Sequence, residues 1–171
     1  MIHFPLRKAP DMKTLALILA AALSATALAK TPKGWNDDFE TAQKLAARDA
    51  KPMLVLFTGS DWCPWCVRLE QEVFAKAEFA TVIPKEMVPV FLDFPRDEGL
   101  VTPVQRSRNE ALARKYGIRG FPTVLLVDAK GGVIARTGYR PGGPEAYVSH
   151  LRDLVAAKKS AAKAEKKPEA K

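Results

Sequence analysis

The stretch SDWCPWCVRLE, residues 60–70, contains Cys63 and Cys66, both cysteines of the 171-residue chain, and each follows a tryptophan. Two thiols at this spacing can exchange electrons with another disulfide, supply half of a metal site, or close a small structural loop. The loop is the weakest use, because chain entropy gives so short a closure about 2 kcal/mol, against about 4.7 for a loop of about 100 residues. A chain of 171 residues with 47% hydrophobic content can also bury a core without it. A closed metal site needs four ligands, and beyond the two cysteines the chain offers only His3 and His150 as soft or borderline donors. Val67 stands where c-type haem attachment requires histidine. Neither a metal nor another cofactor is expected, and electron exchange is the leading reading.

The surrounding pattern puts the pair at the start of a helix. MLVLF, opened by Pro52, is a continuous apolar run too short for a helix, and it fits a buried central strand. The turn TGSD then delivers Cys63 to a helix predicted over Pro64 to Lys76, with Cys66, Leu69, Val73 and Ala77 on one stripe. Unpaired backbone N–H groups and the macrodipole at that end favour negative charge, and the thiolate is the nucleophile. Pro64 suits the first turn, since the donor it lacks would be unpaired anyway. Cys63 therefore reads as the attacking sulfur, and Cys66, one turn on, as the resolving thiol.

The remaining elements alternate between helix-like and strand-like. Asn36 is the expected cap of a helix through DDFETAQKLAARDA, with Phe39, Ala42, Leu45 and Ala46 on one face. VPVFLDF reads as a second strand, FPRDEGLVTPVQRSRN (residues 94–109) as a long charged loop, and EALARKYG as a helix ended by Gly117. TVLLVD, the turn AKGG and VIARTGY form a predicted hairpin, followed by a last helix from Pro144 to Ala157. The order implies an α/β sandwich with a central mixed sheet flanked by helices, a single domain over residues 30–157.

Charge and leader pattern place this domain. Of the net charge of +8, the segments 1–29 and 158–171 contribute +2 and +4, which leaves +2 for residues 30–157. A nearly neutral body argues against a nucleic-acid partner. From Met12, MKTLALILAAALSATALAK runs from a lysine through a short apolar stretch to Ala27-Leu28-Ala29. That is the plan of a secretory signal peptide cleaved after Ala29, with residues 1–11 as an upstream extension. A periplasmic or secreted location follows, where disulfides can form and persist. KKSAAKAEKKPEAK, residues 158–171, reads as a solvated, disordered tail.

Together with WCPWC, the segment KYGIRGFPT, residues 115–123, closely resembles the thioredoxin superfamily. In detail the chain is similar to exported single-domain thioredoxin-like proteins with a GSDWCxWC motif, in element order over residues 35–157. The resemblance implies a thioredoxin-like sandwich in which Cys63 is the nucleophile and Cys66 resolves, the two forming a disulfide on oxidation. It implies Pro122 as a cis-proline across from the cysteines, with the Phe121 backbone pairing with an extended substrate segment. Trp62 and Trp65 would form the apolar rim on which that segment lies. The chain departs from cytoplasmic thioredoxins six residues before Cys63, where a buried aspartate is replaced by Phe57. Asp61 and Glu70 are the candidate proton acceptors in its stead.

The expected activity is thiol:disulfide exchange with cysteine-containing exported proteins, by a monomer recycled by a membrane-bound electron donor or acceptor. Net reduction is the preferred direction. A dithiol oxidase running the same chemistry backwards, and a non-catalytic binding or chaperone module using the same groove, are the alternatives. The Pro64-Trp65 dipeptide is neither the Gly-Pro of thioredoxins nor the Pro-His of the strong periplasmic oxidase, and it does not fix the potential.

Overall fold

A computed structural model describes residues 31–165; the expected signal peptide and residues 166–171 lie outside the described residues. In chain order the elements are α1 (Phe39–Asp49), β1 (Met53–Thr58), α2 (Pro64–Leu69) and a π-helical turn (Glu70–Phe74) that continues it. Then follow α3 (Ala77–Glu86), β2 (Val88–Asp93), α4 (Pro103–Lys115), β3 (Thr123–Val127), β4 (Val133–Thr137) and α5 (Gly143–Glu165). The four strands form one mixed sheet in the order β2-β1-β3-β4. β1 runs parallel to β2 and antiparallel to β3, and β3 pairs antiparallel with β4. This is the thioredoxin-like α/β arrangement expected from the sequence.

The sheet is covered on both faces, which explains why its central strands read as unbroken apolar runs. Met53, Val55 and Phe57 of β1 pack with Phe39, Ala42 and Ala46 of α1 and with Tyr116. Leu54 and Leu56 point the other way, onto Leu69, Val73 and Phe74 of the cysteine helix, Phe79 and Ile83 of α3, and Leu151 of α5. Strand β1 ends at the cysteine turn, and its register pairs Phe57 with Thr123, so the residue after Pro122 lies beside the strand that delivers Cys63.

Several boundaries differ from the sequence expectations, each for a local reason. The cap of α1 is Asp38, whose carboxylate accepts the Thr41 N–H at 2.7 Å; Asn36 instead bridges to Val90 and extends the sheet edge. The cysteine helix ends at Phe74, and after Ala75 the chain turns, so Ala77 is an exposed first residue of α3 and not part of the buried stripe. Helix α3 itself carries Pro84 in its last turn, where the missing N–H forfeits one ladder bond with only two helical residues beyond it, and the apolar pattern alone leaves the helix unassigned.

Residues 103–109 are helix and not loop. Thr102 and Gln105 form a reciprocal capping box, with Pro103 at the first helical position, so α4 begins seven residues before Glu110. Strand β4 stops at Thr137, two residues short of Tyr139. Finally, α5 runs past Ala157 to Glu165, taking in the first residues of the Lys/Ala/Glu tail; good helix formers there continue the hydrogen-bond ladder although residues 158–164 are exposed.

Candidate active site

Cys63 is the N-cap of α2, with extended backbone angles, and its Sγ accepts the backbone N–H of Cys66 at 3.2 Å. The Cys63 N–H in turn donates to the Gly59 carbonyl at 3.0 Å, fixing the turn that follows β1. The two sulfurs are joined in a disulfide, and both residues are only 4% exposed. When the bond is reduced, a charge on Cys63 would sit at a helix start with a donor already aimed at it, which favours the thiolate. Gly59 has a packing reason to be glycine, since a Cβ there would come within 2.5 Å of the Trp62 indole.

Two aromatic clusters flank the disulfide. On one side the Trp62 indole N–H donates to the Phe94 carbonyl at 2.8 Å, and its ring meets Phe121 edge-on at 5.8 Å. Phe94 packs against Phe121 at 5.0 Å, and the Arg96 guanidinium lies over Trp62 at 5.1 Å. The peptide bond between Phe121 and Pro122 is cis. The cysteine turn and the KYGIRGFPT segment, some fifty residues apart in sequence, thus meet through Trp62 and Phe121. On the other side Trp65, 53% exposed, packs against Tyr139 at 5.2 Å.

The two carboxylates considered as proton acceptors occupy different environments. Asp61 is exposed and accepts the backbone N–H groups of Arg96 and Asp97 at 2.9–3.0 Å. Partial burial raises its pKa, but those N–H groups outweigh it and hold the carboxyl below its ordinary range. Its electron pairs are committed to the following loop. Glu70 is half-buried, four residues after Cys66 on the continuous helix, and its backbone N–H donates to the Cys66 carbonyl. Burial, and secondarily the charge of Asp93, push its pKa up.

Asp93 is the residue that sequence reasoning passes over. It is the last residue of β2, 5% exposed, and its carboxylate accepts the Ser60 N–H at 3.0 Å and the Ser60 hydroxyl at 2.6 Å. Burial raises its pKa against the pull of those hydrogen bonds. Glu70 and Asp93 line one solvent-reached cavity of about 480 Å³ beside Ser60, Asp61 and Val67. A lone carboxylate in the apolar run VPVFLDF is the signal that could have found it; its meeting with Glu70 depends on strand order.

The fold and this geometry define a thioredoxin-like protein. A thioredoxin-like domain model matches residues 39–154, and the chain belongs to that family. It is 34% identical over 119 residues to a disulfide bond reductase DsbH of Chlamydia pneumoniae, covering 70% of this chain and 71% of that one. It is also 29% identical over 104 residues to the thioredoxin-related protein DsbJ of the same organism, covering 61% of this chain and 30% of DsbJ. A solved structure titled DsbH oxidoreductase superposes with a TM-score of 0.68 at 28% identity, covering 91% of this chain and 95% of that one. With its Cys63–Cys66 disulfide, the chain is a thiol:disulfide oxidoreductase in class.

Proposed function

We propose that this protein is an exported reductase of disulfides in other exported proteins. The observation that carries the reading is the Cys63 Sγ at the helix N-cap, bonded by the Cys66 N–H, with the neighbouring Trp62 packed on Phe121 of the cis Phe121–Pro122 bond. The 34% identity to a protein named as a disulfide bond reductase supports the direction. The lysine, apolar run and Ala27-Leu28-Ala29 of the leader support export, with Lys30 as the mature N-terminus.

In this reading the reduced enzyme attacks through the Cys63 thiolate on one sulfur of a substrate disulfide. That S–S bond breaks, the other substrate sulfur leaves as a thiolate, and a mixed disulfide joins Cys63 to the substrate. Trp62, Trp65 and the Phe121–Pro122 backbone border the extended segment during this step. Cys66 then gives its proton to a carboxylate and attacks Cys63 Sγ, releasing the second substrate thiolate. The substrate gains two electrons and the enzyme loses them, so a thiol donor on the membrane must recycle the Cys63–Cys66 pair.

Glu70 is the proposed acceptor for the Cys66 proton, in preference to Asp61. It shares a helix side with Cys66, and its raised affinity for protons comes from burial beside Asp93. Asp61 is held anionic by backbone donors that a proton would have to displace.

Two measurements test the proposal. Equilibration of the protein beginning at Lys30 with dithiothreitol or glutathione, followed by tryptophan fluorescence, gives the potential of the pair. A value near about −270 mV supports a reductase, whereas one near about −120 mV marks an oxidase and reverses the proposed electron flow. A Cys66→Ala variant should accumulate mixed disulfides with exported proteins, and its failure to trap any would argue for a binding module.

A further inference from the structure

The Trp65 side of the cysteines carries a bonded array that the exchange chemistry itself does not require. Arg68 lies 5.5 Å from the Trp65 ring centre and 5.3 Å from that of Tyr139, so one guanidinium faces both rings. Glu72 holds both partners: Oε1 accepts the Arg68 Nε–H at 2.7 Å, and Oε2 accepts the Tyr139 hydroxyl at 2.6 Å. The hydroxyl bond and then Arg68 keep the Glu72 carboxyl below its ordinary range. The array also reaches across the site. Tyr139 follows Gly138, where a Cβ would come within 3.2 Å of the Pro122 carbonyl, and the Gly138 carbonyl accepts the hydroxyl of buried Tyr147 at 2.9 Å. Tyr139 therefore stands on a segment pinned between the cis-proline and α5, and it ties that segment to the cysteine helix through Trp65, Arg68 and Glu72.

We infer that Tyr139, Arg68 and Glu72 are positioning residues that hold the Trp65 indole as a fixed apolar wall. The wall makes the enzyme select extended polypeptide segments with an aromatic side chain next to the reactive cysteine. The inference rests on the oxidoreductase reading and names its substrate class. A free indole loses rotamer entropy when a substrate stacks on it, and an indole already held by its neighbours does not. Half of the Trp65 surface remains free for that contact. Among the described residues Trp65 and Trp62 are the tryptophans beside the cysteines, and each has a guanidinium over its ring. Trp62 differs in being fixed by a backbone hydrogen bond and by Phe121 instead of by a side-chain array.

The test uses two disulfide-bonded peptides that differ only in the residue next to one cysteine, phenylalanine or serine, together with glutathione disulfide. The mature wild-type enzyme should favour the phenylalanine peptide roughly three- to tenfold in kcat/KM, the range an aromatic contact supplies, and the preference should lie in KM. Tyr139→Phe, which keeps the ring and loses the bond to Glu72, and Glu72→Gln, which weakens both bonds, should each shrink that ratio towards one. Equal rates for the two peptides in the wild type would overturn the inference, as would an unchanged ratio in both variants. A wild type that exchanges with none of the three disulfides would instead bring down the oxidoreductase reading on which the inference stands.

Discussion

The two faces of the sheet are built from the same strands and end differently at the cysteine end. On the α1 side β1 and β2 stay apolar to their last positions, Phe57 and Leu92, and β3 sets beside Phe57 the neutral Thr123, whose hydroxyl donates to the Gly120 carbonyl. On the cysteine-helix side it runs through Leu54, Leu56 and Phe91 and then gives way to Thr58 and Asp93, which pair directly across β1 and β2. Both polar residues are buried. A sheet face that only packs has no reason to bury a carboxylate at its end, since desolvation disfavours the charge. One face ends on a neutral hydroxyl, and the other ends on a buried carboxylate that bonds Ser60 of the cysteine turn.

The comparison breaks most sharply at the sulfur. Cys63→Ser should lower turnover of a protein disulfide by a factor on the order of 10³ or more while leaving both faces folded, as circular dichroism and turnover assays would reveal together. On the α1 face the effect should invert. Phe57→Ala empties space under α1 and should cost about 3–5 kcal/mol in chemical denaturation, with the reduction potential of the remaining folded protein close to wild type. A large change in potential would mean that the two faces are not separable in this way.

Smaller changes sharpen the contrast at the polar end. Glu70→Gln removes the proposed acceptor, and the turnover of substrate disulfides should fall on the order of 100-fold. In the wild type, turnover should rise with pH through the raised Glu70 value, above the ordinary carboxylate range, and that limb should vanish in the variant. A limb that persists unchanged assigns the proton to another group.

The smallest effect concerns stability. Burial raises the folded-state pKa of Asp93, so its contribution is full below the ordinary carboxylate range and is lost as pH rises through the raised value. The denaturation midpoint of the wild type minus that of Asp93→Asn should therefore decrease from the acid side towards neutral pH. Glu72 has the opposite sign, because its lowered value makes its contribution disappear as pH falls, and the difference between the two proteins removes it.

Most of the fold was legible because it is written in short-range patterns. MLVLF and VPVFLDF are apolar runs of strand length, and the spacing of Phe39, Ala42 and Ala46 marks a helix face. The start of α4 was equally readable, since Thr102, Pro103 and Gln105 are a capping box with proline at the first position. The charged residues between Phe94 and Asn109 mask it by composition, and Asn109 is a buried helical residue donating to the Asp93 carbonyl at 2.9 Å. Helix α3 was harder, because Pro84 is a breaker by pattern and yet stands inside the helix, two residues before its end.

Apart from the cis peptide at Pro122, which only the resemblance to the thioredoxin superfamily implied, the sequence by itself determined the redox pair, its place at a helix start and the alternation that makes an α/β sheet. Those properties are carried by covalent spacing and by neighbours within a few residues. Only the tertiary structure decided that Asp93 lies with Glu70 and Ser60, that Asp61 is tied to Arg96 and Asp97, and that Tyr139 packs on Trp65 and donates to Glu72. The partners in these contacts stand 23 to 74 residues apart, from Glu70 with Asp93 to Trp65 with Tyr139. Their meeting is set by which strand lies beside β1 and by where the chain leaves β4, and no local periodicity encodes either.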